Sequence, residues 1–277
     1  MTATITSIRG ATATAAPGFG STLQSEWTKL RTVRSTWIIV ALMIGLSVGI
    51  SSLTSLAAGL TYDNWGDDAQ ASFDPLLSSL TGQLFRLMLL IVLGTTAVTS
   101  EYGSRMIRTT FIVNPRRSQV FAAKALIVTA LSLVVSAISV PGMFLVSQPI
   151  FGHYGLATAS LTDSETVRRL LVYTVSQGLV YTLIPFAIAW LLRSAATAIA
   201  VSIGFIFLTS VLSPIVPVWV QHNVFRFFPD LASDSLSGGI DIDAATYLSQ
   251  GPALAVVAAW LIGMLAAAVI VLNRRDV

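Results

Sequence analysis

Ionisable side chains are scarce in this sequence, and where they sit says most about its chemistry. Between Ser100 and Lys124 an otherwise apolar chain turns basic, reading SEYGSRMIRTTFIVNPRRSQVFAAK. Arg105, Arg108, Arg116, Arg117 and Lys124 lie there, opposed by Glu101 alone. Arg105 and Arg108 are three apart, so on a helix they share a face. Asn114-Pro115 ends that helix, because proline disfavours the helical region for its predecessor. The stretch therefore predicts a short helix over 101–111, a turn, and a basic foot of Arg116, Arg117 and Lys124 where the next apolar run begins. A charged loop between apolar runs marks one membrane face and offers a docking surface to a soluble partner. The plain alternative is a loop that only enforces topology.

Arg86 is the clear ionisable residue inside an apolar run, and intramembrane charge is a functional-site hypothesis by default. It lies six residues past Leu80, or ~9 Å along a helix. Its guanidinium can either snorkel to the headgroups or face a water-filled cavity and pair with Gln83, Gln177 or a backbone carbonyl. Gln83 and Arg86 are the candidates for a substrate pathway.

Other chemistries lack their parts. No GxxxxGK[ST] occurs, and neither lysine, Lys29 nor Lys124, follows a phosphate-binding glycine loop. The chain is not expected to bind or hydrolyse ATP by itself, and no catalytic residue is assigned. HExxH and GxSxG are absent, and no pair of carboxylates falls within the predicted spans. The absence of cysteine excludes disulfides and zinc-thiolate sites. His153 and His222 lie far apart without metal-ligand spacing, so no metal site is expected. The basic residues are scattered between apolar runs rather than gathered on one face, which argues against nucleic acid.

The elements that must carry these residues are membrane spans. The 277 residues are 54% hydrophobic and 10% charged, with a mean hydropathy of +0.78; soluble domains carry about 25% charged residues. A spanning helix needs ~20 apolar residues, and six runs qualify, at about 37–60, 76–99, 121–146, 170–192, 195–216 and 252–272. The expected fold is all-α: a polytopic integral membrane protein with six transmembrane helices forming one domain over 37–277. Pro141 and Pro185 fall inside the third and fourth runs and are candidate kinks.

Arginine and lysine sort to one side. Arg9, Lys29, Arg31, Arg34, the loop cations, Arg193, Arg274 and Arg275 face Arg168, Arg169 and Arg226 across the bilayer. The positive-inside rule puts both termini in the cytoplasm. Residues 1–20, rich in Ala, Thr and Gly, read as a disordered cytoplasmic tail. Residues 21–36 read as an interfacial amphipathic helix lying on the inner leaflet. Leu23, Trp27 and Leu30 share its apolar face by the i, i+4, i+7 rule, and Ser21 with Gln24 fits a capping box. The outer segment 217–251 begins with an aromatic stretch that suits a short helix or re-entrant cap. It continues as polar, turn-rich PDLASDSLSGGIDID, either a lid over an exit path or a passive surface loop.

Four segments resemble the ABC type-2 permease family, in the six-span form common in actinobacterial exporters. LQSEWTKLRTVRSTW at 23–37 is similar to its entry helix. TSEYGSRMIRTTFIVNPRRSQVFAAKAL at 99–126 is similar to its loop between the second and third spans. LLRSAATAIAVSIGF at 191–205 and the terminal NRRDV are similar to its fourth-to-fifth turn and its cytoplasmic end. The family carries Gly just before Met-Ile-Arg-Thr-Thr, where this chain has Arg105. The resemblance implies the transmembrane subunit of an ATP-binding-cassette exporter in a bacterial plasma membrane. Two permeases, identical or homologous, would pair in the lipid bilayer, and two copies of a cytoplasmic ATPase chain would bind ATP and Mg. Glu101, Tyr102, Arg105, Arg108 and Phe111 would form the coupling helix that docks the ATPase. The cargo would be hydrophobic or amphiphilic. An ATPase-independent transporter or channel, or a membrane anchor or sensor, is the competing reading.

Overall fold

A computed structural model describes residues 18–104 and 106–275 of the chain. Arg105 and most of the expected 1–20 tail lie outside the described residues. The all-α class holds. The helices run α1 Phe19–Thr32, α2 Arg34–Thr61, α3 Asp67–Ala71, α4 Pro75–Ser79, α5 Gln83–Gly103 and α6 Met106–Val113. They continue as α7 Arg117–His153, α8 Ser164–Leu192, α9 Ala195–Leu212, α10 Val218–Asn223, α11 Pro229–Ser237 and α12 Gln250–Arg274. Six of them (α2, α5, α7, α8, α9 and α12) are long and apolar enough to cross a membrane.

Local chemistry explains where the elements stop. The run expected over 76–99 is two helices. Asp74 caps α4 by accepting from the amides of Leu76 at 2.8 Å and Leu77 at 3.0 Å, with Pro75 in the favoured first position. The break falls at Gly82, whose amide donates to Ser51 Oγ at 2.9 Å. A Cβ at Gly82 would collide with the carbonyl of Ser47, so only glycine lets the chain pass α2 this closely. Asp163 caps α8 through the amides of Glu165 and Thr166. That helix ends at Arg193, held in the left-handed region at φ 59°.

The helix at the N-terminal side differs from expectation. It begins after Gly18, so Ser21 lies inside its first turn and donates to Gly18 O at 2.8 Å; the Ser21–Gln24 capping box does not form. It ends at Thr32, and the first span starts at Arg34 rather than 37.

The bundle is built around α8, which packs against α5, α7, α9, α11 and α12. Small residues allow the close approaches that drive helix association in lipid. Gly94 of α5 faces the Thr182 carbonyl of α8, where a Cβ would clash. Ser55 of α2 donates to Ser147 of α7 at 2.8 Å. Near the α5–α6 end, Phe121, Phe186 and Trp190 stack at 5.3–6.2 Å between ring centres. At 37 residues, α7 is about 55 Å long at 1.5 Å per residue, well beyond the ~30 Å of bilayer hydrocarbon.

Within 217–251, the stretch 225–237 is not a surface loop. Its polar half folds as α11, which buries Pro229, Asp230, Ala232, Ser233 and Leu236 against α8, α9 and α12. The preceding turn reaches deep along α12, where Trp260 Nε1 donates to the Phe227 carbonyl at 2.7 Å. Trp260 stands ten residues into α12, about 15 Å from its start. The segment therefore dips into the bundle and returns. Non-helical backbone at such depth is tolerated only when protein surrounds it, and here Phe205, Phe228 and Trp260 pack around the turn.

Candidate functional site

Two polar centres stand out, one at each end of the bundle. The first collects both lysines of the chain. Lys124 of α7 donates to Glu26 Oε2 of α1 at 2.6 Å and to Glu101 Oε1 of α5 at 2.8 Å. Lys29 of α1 donates to Glu26 Oε1 at 2.6 Å and Glu101 Oε1 at 2.9 Å. The four charges alternate around a closed ring and sum to zero. Lys124, Glu26 and Glu101 are buried. Burial pulls the Lys29 ammonium down, but the Glu26 hydrogen bond and the Glu101 carboxylate outweigh it and hold it above its ordinary value. Around the ring, Lys29 reaches Thr110 Oγ1 of α6 at 3.3 Å, and Asn114 Nδ2 donates to Thr22 Oγ1 at 2.9 Å. The entry helix, the second and third spans and the loop joining them are thus fastened at one point.

This geometry reassigns several residues. Glu101 and Tyr102 belong to the last turn of α5, not to a helix running over 101–111. Glu101 is buried in the ring, and Tyr102 packs edge-on against Trp190 at 6.0 Å beneath the Arg193 guanidinium at 5.4 Å. Glu101 is buried and Tyr102 half-buried. Lys124 is buried at the centre of the ring rather than exposed. Arg116 is exposed. Arg117 donates to the carbonyls of Leu272 at 3.1 Å and Arg275 at 2.7 Å and lies over Phe111 at 5.6 Å, so it ties the loop to the end of α12. The exposed part of the loop is α6, with Arg108 outward, Ile112 81% exposed and Val113 64% exposed. On α1 the buried residues are Thr22 and Glu26. Leu23 and Leu30 are half-buried and Trp27 is exposed, because the ring draws the polar face of that helix onto the protein.

The second centre lies where α5, α7, α8 and α11 meet. Arg86 is fully buried, so it does not snorkel. Its Nη1 donates to Ser136 Oγ of α7 at 3.1 Å, and its guanidinium lies 5.4 Å from the Tyr173 ring centre. Arg86 Nε and Nη2, Gln83 Oε1 and Tyr173 OH have no hydrogen-bond partner among the described residues. Gln177 Nε2 donates to Asp234 of α11 at 2.5 Å, and Thr209 of α9 donates to Asp230. Asp230 is 2% exposed. Loss of hydration raises the Asp230 carboxyl to about 6, and the same burial, with repulsion from Asp230, raises Asp234 to about 7. The two aspartates escaped sequence reading because they sit outside every apolar run. Their four-residue spacing, which puts both on one helix face, was the available signal.

No group of three or more metal-binding side chains occurs among the described residues. A cavity of about 410 Å³ opens beside the charged ring, between α1, α2, α5 and α7. It is lined by Leu30, Val33, Leu93, Ala97 and Ile127 as well as the charges.

Six helices long and apolar enough to cross a membrane, with buried polar centres between them, define a polytopic membrane protein. Residues 22–213 match the family described as ABC-2 family transporter protein, and the chain belongs to that family. No curated protein matches the chain.

Proposed function

We propose that this chain is the transmembrane permease subunit of an ATP-driven exporter, moving a hydrophobic or amphiphilic substrate outward through a bacterial plasma membrane. Two permeases pair, and each docks one copy of a separate cytoplasmic ATPase that binds ATP and Mg. Both termini are cytoplasmic. The observation that carries this reading is α6: a short helix exposing Arg108, Ile112 and Val113, rooted beside a buried ring of charge. An apolar-and-basic exposed helix suits a partner groove, and the ring gives it a stiff base. Force on α6 then reaches α5, α7 and α1 together. α1 serves as an interfacial helix, with Trp27 toward the headgroups.

The cavity beside the ring supports inner-leaflet entry of an amphiphile, since apolar walls flank a charged end. Gln83 and Arg86 line the path further out, where unpartnered polar groups await a second conformation. α10 and α11 act as a lid on the outer side.

Co-expression with a candidate ABC ATPase chain tests the reading. The two chains are expected to co-purify and hydrolyse ATP. Arg108→Glu combined with Ile112→Asp is expected to lose co-purification while the permease keeps its thermal stability. Unchanged association would remove α6 from the docking surface. A permease that transports without any ATPase would overturn the exporter reading.

A further inference from the structure

We propose that Asp230 and Asp234 form a proton-binding site that keeps α11 seated in the bundle, and that α11 leaves its seat as these carboxyls ionise.

The two residues are one turn apart on α11 and therefore share a face. Each meets a single side-chain donor, Thr209 for Asp230 and Gln177 for Asp234, and the amides of Leu231 and Asp230 at the start of α11 are the further donors to Asp230. Neither belongs to an ion pair among the described residues. Asp230 Oδ1 has no partner and no accessible surface. A buried carboxylate with so few donors is costly, whereas a protonated carboxyl is not. The same closeness argues for a proton over a metal ion or an amine, because Oδ1 leaves no room for a larger ligand.

The surrounding charges do not neutralise the pair. On α8, Arg169 is engaged with Asp74 at 3.1 Å and with the Gly238 carbonyl at 2.8 Å. Tyr173 and Tyr181 of α8 are the neutral ionisable groups nearby. In the 3-10 turn before α11, Arg226 lies over Phe227 at 4.8 Å and beside His222 at 3.3 Å. α9 carries no ionisable side chain, and the one on α12, Arg274, is at its far end. Arg86 stands beyond Tyr173. It is the buried cation that an ionised, displaced Asp234 would meet.

The sign follows from linkage. The seated state binds more protons than the unseated one. Seating is fully favoured below the ordinary carboxyl value of 3.8 and weakens as pH rises through about 6 and about 7. Each released proton passes to water on the side to which α11 opens. Seating does not require the ATPase, so a test on the permease alone fails or succeeds separately from the docking reading.

The chain has no cysteine, so Ser233→Cys supplies a single thiol on α11. Ser233 is fully buried and its hydroxyl has no partner, so the change removes no bond. In lipid nanodiscs, the rate of maleimide labelling is measured from pH 5 to pH 8 and normalised to an exposed Ser160→Cys control. The normalised rate is expected to rise at least about tenfold, since one pKa unit corresponds to a tenfold equilibrium change. Adding Asp230→Asn and Asp234→Asn is expected to hold labelling low at every pH, with Asp234→Asn alone reducing the slope. A flat profile with both aspartates present overturns the proposal. So does a rise that survives the double substitution, or fast labelling of the double variant at every pH.

Discussion

Lys124 stands between two buried carboxylates, and removing it would leave them sharing the half-exposed Lys29 alone. Breaking a buried ion pair from one side typically costs about 3–5 kcal/mol. Lys124→Met is therefore expected to lower the thermal midpoint markedly, and adding Glu26→Gln and Glu101→Gln is expected to recover most of the loss, as read by thermal unfolding in detergent. Arg86 should behave oppositely. With one hydrogen bond and two unpartnered nitrogens, it contributes little to folding, and Arg86→Met is expected to keep or raise stability while transport falls. The ring was hard to read from sequence because its partners are remote: Glu26 and Lys124 are 98 residues apart. Spacing along one helix was legible, which is why Arg105 and Arg108 drew notice. Pairing between helices was not, so Glu101 and Lys124 looked like surface residues when each is the other's counter-charge.

Helices announced themselves when length and apolarity sufficed, and the six spans were visible for that reason. α11 was hidden because Pro, Asp, Ser and Gly normally mark turns, and its burial rests on small size rather than apolar periodicity. The split between α4 and α5 was equally hidden, since it depends on what lies opposite Gly82. Two measurements address this scale. Trp260→Phe removes the donor to the Phe227 carbonyl, a hydrogen bond worth about 0.5–1.5 kcal/mol. Hydrogen exchange over 225–237 is expected to quicken, while that of α7 stays unchanged. Gly94→Ala forces α5 from α8, and overpacking of this kind costs about 1–3 kcal/mol. The expected readout is a lowered thermal midpoint without loss of helix content.

Across the molecule, α8 is the post on which the other elements lean, while α2, α9 and α12 present most of their surface outward. Motion between two packings must therefore occur around α8 rather than through it. The proposed orientation gives a direct check. Ser104→Cys is expected to react with an impermeant thiol reagent only from the cytoplasmic side, and Ser160→Cys only from the outer side. Labelling of both from one face would reverse the reading of the charge distribution. The pH responses of the two ends should also differ. Lys29 holds its proton above the ordinary lysine range. Glu101, pushed up by burial but held down more strongly by Lys124 and Lys29, gives up its proton below the ordinary carboxylate range. The ring is therefore complete around neutrality and is lost only in strong acid or strong alkali. The α11 seat responds near neutrality. Shifts of pH around neutrality should thus move one end of the bundle and leave the other rigid.

The ring also makes the folded protein nearly invisible to reagents that seek side-chain amines. Both lysines lie within it, and only Lys29, with 27% of its side chain exposed against 8% for Lys124, shows an ammonium to the outside. Lysine-directed cross-linkers should therefore map this subunit onto its neighbours from the Lys29 side chain alone. Lysine-specific proteases should spare the chain until it unfolds, so that the onset of cleavage at Lys124 times the opening of the ring.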